Sequence, residues 1–349
     1  MLSKKQVEEL RRELETAQNP LFIYDSDADG LCSFLLLYRF CKEGKGFIFK
    51  KASKNLYELI LNKIEEQNPD KIFILDIPVI DQEFLDKVKR PVFWIDHHPP
   101  LTRTKVKYYN PLIRHPDIYM PVTRMAYQIA QNPDDLWLAA VGTLGDYARP
   151  DFLPEFIEKY PALLEKEEDL PTILFKRPVG ELVKLFFFMF KGPSSEVTKS
   201  MKILTRIKSP DEIMEGTTAQ GKFIFKRFQT INQRYEILLK QAKKCATRSK
   251  LLLFFYSENQ WSFTANLANE LTALYPNKII IIARKKSEEV KCSIRARVPF
   301  VDQLKQAMVG LQARGGGHPN ACGAVIDEND WEQFLEKFKG EIKNLPKLK

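Results

Sequence analysis

The stretch Leu21-Phe-Ile-Tyr-Asp-Ser-Asp-Ala-Asp-Gly30 decides the fold class. Four apolar residues, rich in β-branched and aromatic side chains, run straight into alternating aspartates and a glycine. A run so short and so continuously hydrophobic suits a strand buried on both faces, as at the centre of a parallel sheet. Two further runs repeat the arrangement: Lys71-Ile-Phe-Ile-Leu75 leads to Asp76, and Pro91-Val-Phe-Trp-Ile95 leads to Asp96-His97-His98. Helical patterns lie between them, so the expected class is α/β. Ligands of open α/β sheets bind outside the carboxyl ends of the strands, where Asp27, Asp29, Asp76 and His97 fall. Asp146 arrives differently, after Asp135-Leu-Trp-Leu-Ala-Ala-Val-Gly-Thr-Leu144, which reads as a helix whose glycine lets its end approach the cluster.

Carboxylates and an imidazole gathered at one sheet edge are the donors of a dinuclear metal centre. Two divalent cations about 3.5–4 Å apart repel each other, so their site needs several anionic oxygens and a bridging carboxylate. Asp76, alone on its strand end, is the expected bridge. A mixed oxygen and imidazole set favours ions such as Mn²⁺ over thiolate-seeking ones. Water held by such a pair ionises near neutral pH and attacks phosphorus in line, which points to phosphoester hydrolysis. Plainer readings exist for each segment. Asp25-x-Asp-x-Asp-Gly also starts like a calcium loop, but the twelfth position, which should be a bidentate glutamate, is Leu36, and no helix precedes it. An Asp alone after a strand, like Asp76, is more often a helix cap or turn residue, and adjacent histidines are often only solvated. Co-occurrence decides, because His97, His98 and His318 all lie inside these motifs or the glycine motif near the C-terminus, while His115 reads as an ordinary loop residue.

That second motif is Arg314-Gly-Gly-Gly-His-Pro-Asn-Ala-Cys-Gly323. Consecutive glycines let backbone approach a ligand closely, and successive N–H groups there can form an anion-binding concavity beside His318 and nearby arginines. The plainer reading is a flexible turn between a helix over 301–313 and a strand over 322–326. Taken together, Asp-x-Asp-Ala-Asp-Gly, a strand-end Asp, Asp-His-His, Gly-Asp and Gly-Gly-Gly-His-Pro-Asn-Ala-x-Gly resemble the DHH phosphoesterase family with a C-terminal DHHA1 domain. The resemblance spans about residues 20–150 and 248–340, and the first segment looks most like the RecJ-type single-strand exonucleases.

The resemblance implies two α/β lobes, a parallel-sheet DHH domain and a smaller DHHA1 domain, joined by a helical connector. It also implies two divalent metal ions on the first lobe, manganese preferred and magnesium able to serve, with substrate-holding groups on the second. Carried over position by position, Asp27, Asp29, Asp76, His97 and Asp146 match the family's metal ligands. His98 matches a histidine expected close to the scissile phosphate, and Asp25 lies at the edge of the first metal site; both are the candidate catalytic groups. Where many members place a histidine two residues before the first aspartate, this chain has Ile23, which implies an altered ligand set at one metal. In the second lobe Arg295, Gly316, Gly317 and His318 match substrate-contacting segments, with Arg297 as a neighbour. The expected divisions are 1–150, 151–246 and 247–349.

A formal charge of +9 and an isoelectric point near 9.1 suggest an anionic partner. Backbone tracking along a single strand favours a RecJ-like exonuclease acting on single-stranded DNA or RNA. The alternatives are a phosphodiesterase of short oligonucleotides or cyclic dinucleotides, and a non-catalytic replication scaffold, so replication or repair proteins are expected as partners. Five cysteines without Cys-x-x-Cys spacing indicate neither zinc nor a disulfide framework. The apolar block Leu185-Phe-Phe-Phe-Met-Phe190 is short against the roughly 20 residues of a spanning helix, and the charged N-terminus reads as an amphipathic helix. Cytoplasmic residence without membrane contact is the expectation. Residues 151–246 read as helical with proline breaks, the stretch from about Gln220 to Cys245 as one long helix.

Overall fold

The apolar runs form strands within a residue of the expected bounds. In the computed structural model, which describes residues 1–50, 55–257 and 261–345, the first sheet comprises β1 (Leu21–Asp25), β2 (Lys45–Phe49), β3 (Ile72–Leu75), β4 (Val92–Ile95) and β5 (Lys107–Tyr109). Their order is β2-β1-β3-β4-β5 and every pairing is parallel. The two edge strands escape an apolar-run criterion. Half-exposed β2 begins with Lys45-Gly46, and β5 has only three residues. Buried on both faces, the central strands place Leu21, Ile23, Ile72, Ile74, Val92 and Trp94 in one core, while Phe22, Phe73 and Phe93 stack across the other face at centroid separations of 5.4 and 5.0 Å. Ile23, where the resemblance implies a histidine, is thereby committed to the core.

Residues 151–228 add helices at Leu153–Lys159, Leu170–Lys176, Pro178–Phe188, Ser194–Leu204 and Pro210–Met214. The prolines open these helices rather than break them. Pro154, Pro171, Pro178 and Pro210 occupy first-turn positions, where the missing N–H costs nothing because it has no intrahelical acceptor. Most of the phenylalanine-rich block belongs to the buried face of Pro178–Phe188, with Phe186 edge-on to Trp137 at 6.0 Å. No helix among the described residues is long and apolar enough to cross a membrane. The anticipated long helix spans Ala219–Lys244. By its internal contacts the chain divides into residues 1–228 and 229–349, so the helices after residue 150 pack as part of the first unit and the long helix carries the boundary.

In the second unit, β6 (Leu251–Tyr256), β7 (Ile279–Lys286), β8 (Glu289–Arg295), β9 (Ala313–His318) and β10 (Ala321–Asp327) form a sheet of order β6-β7-β8-β10-β9. Only β6 and β7 pair in parallel; the rest is antiparallel. Helices Val301–Met308 and Trp331–Glu341 cover its apolar face through Leu304, Phe334 and Phe338. Two expectations fail here. The helix expected over 301–313 stops at Met308, and the glycine run expected as a turn or loop is edge strand β9. His318 stands opposite Ala321, so Pro319-Asn320 makes a two-residue hairpin that imposes the ladder on a segment of low strand propensity. Gly317 has φ +146°, and a Cβ there would lie 2.4 Å from the Ala321 carbonyl oxygen, so only glycine fits.

Candidate metal centre

Backbone geometry delivers the carboxylates to one place. Asp25 closes β1, and Asp27 then caps the helix Ala28–Cys41 by accepting from Gly30 N at 2.9 Å. Asp76 and Asp96 each follow a strand by one residue, their amides bonded to Ile95 O at 3.0 Å and Tyr109 O at 3.1 Å. Asp76 holds a left-handed φ of +60°, an uncommon conformation for a residue with a side chain and a frequent mark of functional sites. Asp146 follows the helix Leu136–Gly145, as expected. A Cβ on Gly145 would fall 2.6 Å from that of Ala28, so the glycine permits the close approach of these two helices.

Asp76, His97 and His98 offer ligand atoms within 4.8 Å of one another, and so do Asp29, His97 and Asp146. His97 belongs to both groups. Its Nε2 lies 3.2 Å from Asp76 Oδ1 and its Nδ1 3.6 Å from Asp146 Oδ2. Asp29, Asp76 and His97 are buried, whereas Asp25, Asp27, His98 and Asp146 are partly exposed. Burial pushes the Asp27 and Asp29 carboxyls up to about 6 and Asp146 to about 9, with repulsion from Asp29 adding to the rise at Asp27 and Asp146. Asp76 is raised well above the ordinary carboxylate range, by burial first and then by the charges of Asp29, Asp27 and Asp146. Its Oδ1 is buried outside hydrogen-bonding geometry. Crowded anionic oxygens of this kind fit divalent cations, which relieve the repulsion that protons otherwise relieve.

Asp29 has an additional engagement. Its Oδ2 accepts from Val122 N at 2.8 Å and its Oδ1 from Thr123 N at 2.7 Å, while Thr123 Oγ1 donates to Asp29 O at 2.9 Å. It therefore caps the helix Val122–Ala130 and fixes that element to the cluster. Two further residues shape the site without having been expected to. Asp96, fully buried, joins its Oδ1 to His98 Nδ1 at 2.8 Å and accepts from Tyr108 Oη at 3.2 Å. Burial pulls the His98 imidazolium pKa down, but the Asp96 bond and the charges of Asp96, Asp27 and Asp25 outweigh it, so the net shift is upward. Tyr119 donates to Asp146 Oδ2, and its ring meets His97 edge-on at 5.2 Å. Asp96 was legible from Asp-His-His; Tyr119 carried no pattern.

The second-unit residues occupy one end of its sheet. Arg295, at the end of β8, donates from Nε to Asn269 Oδ1 at 2.7 Å and from Nη1 to Cys322 O at 3.1 Å. Arg297, Gly317 and His318 are exposed, and Gly316 is half-buried. An edge strand commits only alternate amides to its ladder. Half of the N–H groups expected to line an anion-binding loop are thus spent on β10, and the remainder face the open edge.

A parallel sheet with an acidic, histidine-bearing carboxyl edge, followed by a smaller mixed sheet with a glycine-rich edge strand, defines a two-part metallohydrolase architecture. The sequence agrees: residues 21–139 match the DHH family, N-terminal domain, and residues 251–344 match the DHHA1 domain, together more than half of the chain, which therefore belongs to the DHH family of phosphoesterases. Among solved structures, RecJ from Thermus thermophilus in complex with Mn²⁺ is similar at 18% identity and TM-score 0.72, covering 99% of this chain and 55% of that one. The same protein in complex with Mg²⁺ aligns at TM-score 0.64. An exonuclease RecJ bound to manganese gives 18% identity and TM-score 0.63 over 99% of this chain and 96% of its own. At these identities the likeness shows a shared fold. The chain spans little more than half the length of the Thermus protein, and no curated protein sequence matches it.

Proposed function

We propose that this protein is a divalent-metal-dependent phosphodiesterase that hydrolyses single-stranded DNA or RNA stepwise to mononucleotides. The observation that carries the reading is the convergence of Asp27, Asp29, Asp76, His97 and Asp146 at the sheet's carboxyl edge, with the carboxyl pKa values raised by burial and by their own crowding. Asp27, Asp29, Asp76, His97 and Asp146 would hold two cations, with Mn²⁺ preferred and Mg²⁺ accepted. Asp29 would serve through the lone pairs that its two amide bonds leave, and Asp25 borders the site. Bound there, such cations supply Lewis acidity and a nucleophilic hydroxide at neutral pH.

The chain's own groups do the rest. Nδ1 of His98 is tied to Asp96, which leaves Nε2 as the donor available to a phosphate oxygen, and the raised pKa favours the charged form. Removing the Asp96 charge lowers the His98 pKa, so Asp96→Asn should move the alkaline limb of the rate profile to lower pH while metal affinity changes little. An unmoved limb in a variant that melts like wild type would remove His98 from proton handling. On the second unit, Arg295, Arg297, Gly316, Gly317 and His318 are the substrate-contacting set in this reading.

Substrate length provides the decisive test. The net charge of +9 favours contacts along a phosphate backbone. Affinity should therefore rise from dinucleotides to strands of more than about ten nucleotides, and fall with salt at a log–log slope of about −0.7 per contact. Labelled single strands in Mn²⁺ should shorten one nucleotide at a time. Catalytic efficiency that peaks on dinucleotides or a cyclic dinucleotide, with a shallow salt slope, would replace the exonuclease by the short-substrate enzyme.

A further inference from the structure

We propose that Tyr119 is a stacking platform that holds one nucleobase of the single-stranded substrate against the metal centre; this rests on the nucleic-acid reading above. A singly exposed tyrosine is ordinary; what distinguishes Tyr119 is that its ring is held in place beside the carboxylate cluster. Tyr119 is 53% exposed, yet it is fixed at both ends of its side chain. Its hydroxyl donates to Asp146 Oδ2 and lies 3.1 Å from Asp146 O, and its ring packs edge-on to His97 at 5.2 Å. The ring is thus locked beside two of the groups assigned to the cations, with part of its surface open to solvent. Tyr147, the residue after Asp146, is 43% exposed and holds a left-handed φ of +57°, an uncommon conformation for a bulky residue. Two exposed tyrosines consequently adjoin the same carboxylate, one bonded to it and one next to it in the chain.

A phosphate at the cations brings the attached nucleoside within one sugar length of the rim. A rigid, preordered aromatic surface there suits a nucleobase better than a sugar or a second phosphate, because every base offers a π-face and stacking tolerates sequence. Such a contact is worth about 1–3 kcal/mol per base, and about 1.4 kcal/mol is tenfold in affinity. It leaves the phosphodiester chemistry to the metal ligands, so base recognition and hydrolysis can be separated experimentally.

The test uses the full chain in Mn²⁺ with hydrolysis-resistant phosphorothioate single strands of about six nucleotides, either intact or abasic at both terminal positions. Wild type should bind the intact strand about tenfold more tightly than its abasic counterpart. Tyr119→Ala and Tyr119→Leu, the second keeping apolar bulk without a π-face, should erase that ratio, whereas Tyr119→Phe and Tyr119→Trp should retain most of it. A role confined to holding Asp146 or the surrounding loop would weaken both strands equally and leave the ratio intact, which would overturn the proposal, as would equal binding of the two strands by wild type. If the ratio depends on the ring as expected but wild type leaves ordinary phosphodiester strands uncut in Mn²⁺, base stacking stands and the hydrolase assignment fails.

Discussion

Asp76→Asn and His97→Ala should each reduce metal-dependent hydrolysis by about a thousandfold or more, since a lost ligand removes several kcal/mol of charge stabilisation at the reacting phosphate. Asparagine is the sharper replacement at residue 76. The φ of +60° there suits Asn, which enters the left-handed region more readily than alanine, so backbone strain does not contaminate the result. Asparagine resembles the protonated carboxyl that burial and the neighbouring charges favour at residue 76, so the metal-free variant should fold at least as well as wild type. The fold of His97→Ala can be followed in parallel by its melting transition. Metal titrations separate the possibilities. A variant that retains near-normal turnover after chelation, repurification and readdition of Mn²⁺ would show that neither residue serves the chemistry. Normal Mn²⁺ affinity with lost turnover would instead assign the residue to substrate rather than metal.

Much of this site was legible because its parts are local. A continuously apolar run followed by an acid declares both a central strand and the position of its carboxyl end, so β1, β3 and β4 and the cluster at their ends follow from short windows. Asp96 and His98 are two residues apart, and their bond needs no long-range information. What escaped is non-local or patternless. The amides that bind Asp29 lie 93 and 94 residues away, at a helix whose start carries no acceptor of its own. Tyr119 sits in an irregular segment where no hydrophobic period marks it. The Ala313–His318 strand was misread because three glycines have no side chains to alternate, so its ladder is visible only through its partner. The same reasoning explains β5, three residues completed by the neighbouring strand β4 rather than by their own propensity.

The carboxylate cluster should also make the stability of the metal-free protein fall as pH rises, opposite to the usual behaviour of salt-bridged acids. Unfolded aspartates release their protons near pH ~4, whereas the buried Asp27 and Asp29 hold theirs to about 6 and Asp146 to about 9. Between those limits the native state binds more protons than the unfolded chain, so each increment of pH favours unfolding. Stability from these groups is complete below about pH 4 and is lost progressively as pH climbs through about 6 towards 9. A divalent cation reverses the trend because it binds the deprotonated native site and stabilises it by mass action. In chelator, the melting transition of the first unit should drop by several degrees from about pH 5.5 to about pH 9, at roughly 2–4 °C per kcal/mol. Saturating Mn²⁺ should flatten that slope and raise the transition most at high pH. Asp76→Asn in chelator should melt higher than wild type at alkaline pH and depend less on pH, because the folded state no longer has to take up a proton at residue 76. A chelated wild type that grows more stable towards alkaline pH, or an Mn²⁺ effect largest at the acidic end, would mean that these carboxylates are not held in mutual repulsion and that the cluster is not built for cations.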